Sequence, residues 1–202
     1  VVPADLGSEE GLRHAHESAL THLGGGVDTL ILNHVIGYVG NFTQDPTPYR
    51  TLERLFRVNA LSYMDLALRF LPALEESGGA IGVVSSVAGQ VGLPYIAPYS
   101  ATKHSLHGFF NSLRHDLRRG GRAVSITMTT LGAIATENAV KNSAHVFENV
   151  EFLPVADAAR TIVQATERRV RDAYYPFWEA RATVILDALC PTLLDTILQR
   201  SL

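Results

Sequence analysis

The stretch AIGVVSSVAG, residues 80–89, decides the fold. Its apolar, β-branched run follows Gly78 and Gly79 and ends in two serines, the pattern of a buried strand whose last residues are polar. Working outward, VDTLILN (27–33) follows Gly24 to Gly26 and AVSITMTTLG (123–132) follows Gly120 and Gly121 in the same way. The opening VV (1–2) reads as a further, short buried parallel strand. Segments of helical periodicity fall between these runs, at about 8–23, 47–76 and 99–119. In the second, Leu52, Leu55, Phe56, Leu66 and Phe70 form one core-facing stripe. Strands alternating with helices predict an α/β fold of Rossmann type, a doubly wound parallel sheet covered on both faces. Ligands of such sheets lie outside the carboxyl ends of the strands.

Beyond residue 150, VADAARTIVQATERR predicts another amphipathic helix and DAYYPF a last strand. ARATVILDALCPTLLDTIL predicts an apolar helix interrupted at Pro191. Ile185, Leu189, Leu193, Leu194, Ile197 and Leu198 make this tail, residues 174–202, unusually apolar. It suits packing on the core or on a partner subunit, or resting on a membrane surface.

The length of 202 residues fits a single domain. A formal net charge of −3 gives no reason to expect nucleic acid, and Arg114, Arg118, Arg119 and Arg122 read as a solvated helix end. Cys190 is the only cysteine, which excludes an internal disulfide and a cysteine-based metal site; no metal site is expected. No window reaches the roughly 18 apolar residues of a membrane span. There is no internal repeat or low-complexity segment.

Polar residues collect at the expected strand ends: Asn33 and His34, then Ser85 and Ser86, then Gly132 and Thr136. Tyr99 and Lys103 lie one helical turn apart, so a lysine ammonium could favour ionisation of a phenol whose ordinary pKa is about 10. Such a pair suits acid/base work, and it equally suits a buried tyrosine beside an extended lysine.

VVSSVAG followed by YSATK, with Ser86 thirteen residues before Tyr99, resembles the active-site signature of the short-chain dehydrogenase/reductase family. LILNHV resembles that family's Asn-Asn-Ala-Gly segment, RVNALS its helix-borne catalytic Asn, and LGAIATE its Pro-Gly-x-x-x-Thr cofactor segment. The resemblance implies an NAD(P)-dependent oxidoreductase acting on a secondary alcohol or ketone. Tyr99 is then the proton donor or acceptor at the substrate oxygen. Lys103 tunes Tyr99 and holds the nicotinamide ribose, Ser86 bonds the substrate oxygen, and Asn59 holds a water linking Lys103 to solvent. By the same resemblance Asp5 and Leu6 contact adenine, Asn33, His34 and Val35 flank the adenosine ribose, and Gly132, Ile134 and Thr136 border the nicotinamide and phosphates. Leu93 and Pro94, and the segment 137–151 with Ala139, Val140, Val146 and Phe147, are expected to line an apolar substrate pocket.

Within the family, NALSYMDLALRFLPAL, HGFFNSLRHDL and His34 look most like the 11β-hydroxysteroid dehydrogenase type 1 group. That similarity implies NADP, with NAD possible, a steroid-like substrate, a homodimer and association with the endoplasmic reticulum. The sequon NFT at Asn41 is consistent with that compartment. The family's Gly-rich phosphate-binding turn is not among the 202 residues. In the family it belongs to an N-terminal βαβ unit whose strands lie between the VV strand and 27–33, so a divided sheet with unpaired edges is expected here. The chain then reads as a fragment of a longer protein. A truncated homologue without nicotinamide binding, acting through dimerisation or membrane association, is the rival reading.

Overall fold

A computed structural model describes residues 1–143 and 151–200. Four parallel strands form one sheet: β1 (Thr29–Leu32), β2 (Ala80–Ser86), β3 (Ser125–Leu131) and β4 (Asp172–Tyr175), in the order β1-β2-β3-β4. Register pairs Leu32 with Val83, Ser86 with Leu131, and Leu131 with Tyr175, so the carboxyl ends of β2, β3 and β4 are level.

Helices cover both faces. On one side lie α1 (Glu9–His22), α3 (Ser62–Ser77) and α4 (Ala97–Arg119), which pack Leu12, Leu66, Phe70, Leu74, Leu106 and Phe110 against Ile81, Val83, Ile126 and Met128. On the other side lies α6 (Val155–Glu167), against β2, β3 and β4. Gly82 permits this contact, since a Cβ there would meet the buried Thr166 Oγ1 at 2.5 Å. β2 is therefore buried throughout its first six residues, which explains its unbroken apolar run.

Local chemistry sets the helix ends. Ser8 caps α1 by accepting the Gly11 N–H at 3.0 Å, with Glu9 and Glu10 in the positive first turn. Gly78, at φ 61°, ends α3 in the left-handed conformation that glycine adopts without penalty. The helix expected over 47–76 is in fact two, α2 (Pro48–Phe56) and α3, joined by a π-helical turn at Arg57–Leu61 that buries Asn59 and Ala60. A short helix α5 (Glu137–Ser143) follows β3. The tail forms α7 (Phe177–Leu189) and α8 (Pro191–Arg200), broken where expected because Pro191 has no N–H to continue α7.

One expectation fails. Residues 1–2 form no strand, and Val1 and Val2 are exposed. Two residues followed by Pro3, which lacks an N–H, cannot establish a ladder without a neighbour already in place. The sheet is consequently undivided, ending at β1 rather than containing a gap.

Ala180 and Leu194 of the tail are buried with Val87 and Val91. Phe177, Trp178, Ile185, Leu189, Leu193 and Ile197 are exposed. Among the described residues no helix is long and apolar enough to cross a membrane.

Candidate active site

Ser86 is the last residue of β2 and caps the following 3-10 turn, Val87–Gly89, accepting the Ala88 N–H at 3.2 Å. Its hydroxyl thus stands at the carboxyl edge of the sheet. Helix α4 starts at Ala97, puts Tyr99 in its first turn and Lys103 one turn further on the same side. Tyr99 is half-buried, and Lys103 is 2% exposed.

The Lys103 Nζ donates to the Val84 carbonyl at 2.9 Å and sits 5.0 Å from the centroid of the Tyr63 ring. An aromatic face is among the few apolar surfaces that attract an ammonium. Burial still disfavours the charge and brings Lys103 down to about 7. Tyr99 is raised by burial, an effect opposed by its hydrogen bond with the Ser86 side chain. At neutral pH the phenol is therefore protonated, beside a lysine whose charge burial disfavours.

A second layer fixes these groups. The Asn59 amide bonds both backbone groups of Ile36, accepting the N–H at 2.9 Å and donating to the C=O at 2.8 Å. Asn59 also reaches Thr102 Oγ1 at 3.5 Å, on α4 next to Lys103. Tyr63 donates its O–H to the His34 carbonyl at 2.7 Å, and burial pushes its own phenol far upward. The His34 Nε2 lies 2.6 Å from Ser62 Oγ, whose hydrogen is committed to the Val58 carbonyl at 2.5 Å. Nε2 is therefore the donor, and burial, reinforced by Lys103, holds His34 neutral with a pKa of about 4.

Three cavities run along the sheet edge. The central one, about 250 Å³, is lined by Asn33, Val35, Ser86, Tyr99, Lys103, Gly132, Ile134 and Thr136. The sequence singled out these, with Ser85 and Ala139, and did not single out Val84, Leu131, Val155, Ala158, Ala159 and Ile162, which line the cavity too. A second, about 600 Å³, meets the first at Val35 and includes Asp5, Leu6 and His34 with Arg50 and Arg54 of α2 and Arg57 of the π turn. The third, about 510 Å³, shares Ser86, Gly132, Ile134 and Ala139 with the first and is walled by Leu93, Ile96, Phe152, Leu153, Ala180 and Leu198. Asn59 touches none of the three; its side chain holds the wall. Pro94 and Val140 are not among the lining residues, and Val146 and Phe147 lie outside the described residues.

The family model for short chain dehydrogenases matches residues 1–146. The chain belongs to the short-chain dehydrogenase family. Curated relatives include the hydroxysteroid 11-beta-dehydrogenase 1-like proteins of Gallus gallus, 39% identical over 88% of this chain and 60% of its own length, and of Danio rerio, 35% identical over 99% and 68%. The chain thus spans about two thirds or less of the relatives it matches. In fold it is similar to a short chain dehydrogenase from Burkholderia cenocepacia solved with NADP, at TM-score 0.79 and 23% identity, covering 98% of this chain and 77% of that one. A short-chain dehydrogenase/reductase from Burkholderia phymatum solved with NAD gives TM-score 0.78 at 19% identity, covering 95% and 75%.

Short-chain dehydrogenase motifs led to the strand-end and α4 residues of the central cavity and left out its α6 wall, Val155, Ala158, Ala159 and Ile162, and the residues behind it. Tyr63 follows Asn59 by four residues across the π turn, and His107 follows Lys103 by four on α4. The same one-turn spacing that marked Tyr99 and Lys103 was thus available for both.

Proposed function

We propose that the protein is a nicotinamide-dependent oxidoreductase interconverting a secondary alcohol and a ketone. The observation that carries this reading is the convergence of Ser86, Tyr99 and Lys103, from two separate elements, on one cavity that opens into an apolar one. A protonated phenol and a serine hydroxyl at the mouth of an apolar cavity suit a carbonyl oxygen, which accepts two hydrogen bonds.

The residues present fit the nicotinamide half of the cofactor. Lys103 and Tyr99 offer donors for ribose hydroxyls, while Asn33, Gly132, Ile134 and Thr136 border the cavity beside them. They do not include the Gly-rich cradle for the pyrophosphate. A bound nicotinamide would supply or accept the hydride. Ser86 orients the substrate oxygen. Tyr99 gives its proton to that oxygen in reduction and takes it back in oxidation. Lys103, when charged, stabilises the phenolate left behind, and Asn59 keeps the 33–36 stretch against α4; we assign it also the water that reconnects Lys103 to solvent.

The relatives' names support a steroid-like substrate, and the apolar walls at Leu93, Ile96 and Phe152 suit a flat hydrocarbon body. We assign NADP as the preferred dinucleotide from the same likeness. The exposed apolar residues of α7 and α8 support contact with a second copy at a membrane surface of the endoplasmic reticulum.

The test is nicotinamide absorbance during turnover of a ketone panel by the full-length protein. Tyr99→Phe is expected to lower kcat at least about 10²-fold, since it removes the transferable proton while keeping the ring. Unchanged turnover in that variant refutes the assignment, as does failure of the wild type to bind either dinucleotide by calorimetry.

A further inference from the structure

We infer that His107 is a positioning residue that fixes Ser86 against Tyr99 by holding both ends of the turn that carries Ser86. The inference rests on the oxidoreductase reading above. Ser85 precedes that turn and Gln90 follows it. The Ser85 Oγ lies 2.9 Å from His107 Nε2, and the Gln90 amide nitrogen lies 3.4 Å from His107 Nδ1. The same amide nitrogen donates to Thr130 Oγ1 on β3 at 3.3 Å, and the Gln90 carbonyl accepts from Tyr174 O–H on β4 at 3.4 Å.

The directions of these bonds are forced. An amide nitrogen only donates, so His107 Nδ1 accepts, and Nε2 carries the hydrogen given to Ser85. That arrangement needs a neutral ring, and burial, the largest influence, keeps His107 near 4 despite Asp172 nearby. One imidazole therefore joins α4 to the end of β2 and, through Gln90, to β3 and β4.

Packing explains why this tether controls distance. A Cβ on Gly89 would meet Ser85 Oγ at 2.6 Å and the Lys103 carbonyl oxygen at 2.9 Å. The turn thus lies directly on the α4 backbone at Lys103, with no side chain between them to set the gap. Ser100 closes the near side by donating to the Ala88 carbonyl at 2.6 Å. His107 holds the far side, and Tyr99, Lys103 and His107 follow each other at one-turn intervals on the same helix.

The test compares His107→Leu, His107→Gln and Gln90→Met in the full-length protein, with melting temperature as a check on folding. His107→Leu is expected to lower kcat about 10²-fold, as misplacement by about 1 Å can, with KM for the nicotinamide cofactor within about twofold of wild type. His107→Gln keeps one donor and one acceptor and is expected to recover at least tenfold of that loss. Gln90→Met, which cuts one arm only, is expected to fall between, and it decides the matter if His107→Leu does not fold. Wild-type kcat in His107→Leu or Gln90→Met, or no recovery in His107→Gln, overturns the inference.

A second readout does not need turnover. Because the Ser86 contact lowers Tyr99, His107→Leu is expected to move the Tyr99 absorbance titration upward, measured as the difference from the same variant carrying Tyr99→Phe. An unmoved titration overturns the role of His107. No turnover by the wild type under any substrate, with the titration moved, overturns only the oxidoreductase reading.

Discussion

Replacing Lys103 with Met should abolish activity and make the protein more stable. Met matches the lysine's hydrocarbon stem in length and has no charge to desolvate, at a site only 2% exposed. Burial moves Lys103 from 10.5 to about 7, so at pH 7 the folded state bears a cost of about 4 kcal/mol relative to an unperturbed lysine. Loss of the bond from Nζ to the Val84 carbonyl returns about 1 kcal/mol of this, leaving a net gain of about 3 kcal/mol. The pH dependence gives the sharper signature. Between about pH 7 and 10.5 the unfolded chain keeps the lysine proton that the folded chain has shed. Wild-type stability therefore rises with pH across that window and is lost again as pH falls towards 7. At pH 10 the cost of the buried lysine has dropped to below about 1 kcal/mol, and the advantage of the variant should vanish. Tyr63 and Tyr99 titrate in both proteins and largely cancel in the comparison. Denaturant unfolding of wild type and Lys103→Met at pH 7 and pH 10, without dinucleotide, measures the difference directly. A variant less stable than wild type at pH 7, or a difference that does not change with pH, refutes the reasoning.

Gly82→Ala would set a methyl against Thr166 Oγ1 at 2.5 Å, and Thr166 is itself pinned to the Ile162 carbonyl at 2.8 Å, so β2 and α6 must separate at a cost of about 1–3 kcal/mol. A loss under about 0.5 kcal/mol in denaturant unfolding would contradict that packing. Asn41 is exposed, with its carbonyl oxygen bonded to Thr43 Oγ1 at 2.8 Å. On expression through the secretory route a glycosidase-sensitive gel shift is expected in wild type and not in Asn41→Gln; an unshifted wild-type band counts against a lumenal location.

What could be read from the sequence was governed by range. β2, β3 and the break at Pro191 were legible because burial on both sides, flanking glycines and a missing N–H act within a few residues. The opening VV was misread because strand pairing is decided by a neighbour, and no β-branched pair carries that information. The division of 47–76 was invisible for a related reason. A π turn keeps the helical pattern on either side of Arg57–Leu61 and changes only which face continues, and what pays for it is Asn59 bonding Ile36 across the fold. The catalytic candidates were legible because Ser86, Tyr99 and Lys103 follow a motif whose spacing is itself the chemistry. Tyr63, Ser62, Gln90 and His107 were passed over because their parts are defined by partners 17 to 84 residues away.

The placement of Tyr99 and Lys103 on a single helix has a consequence for how this site can diversify. α4 is one stiff rod, so displacement along it carries the phenol and the ammonium together and leaves their separation unchanged. Ser86 rides on another body, and the geometry of the three groups reduces to one adjustable gap between the rod and the turn after β2. The walls of the apolar cavity at Leu153, Ala180 and Leu198 belong to neither body. On the proposed function, substrate preference would drift through those walls while that gap stays where it is.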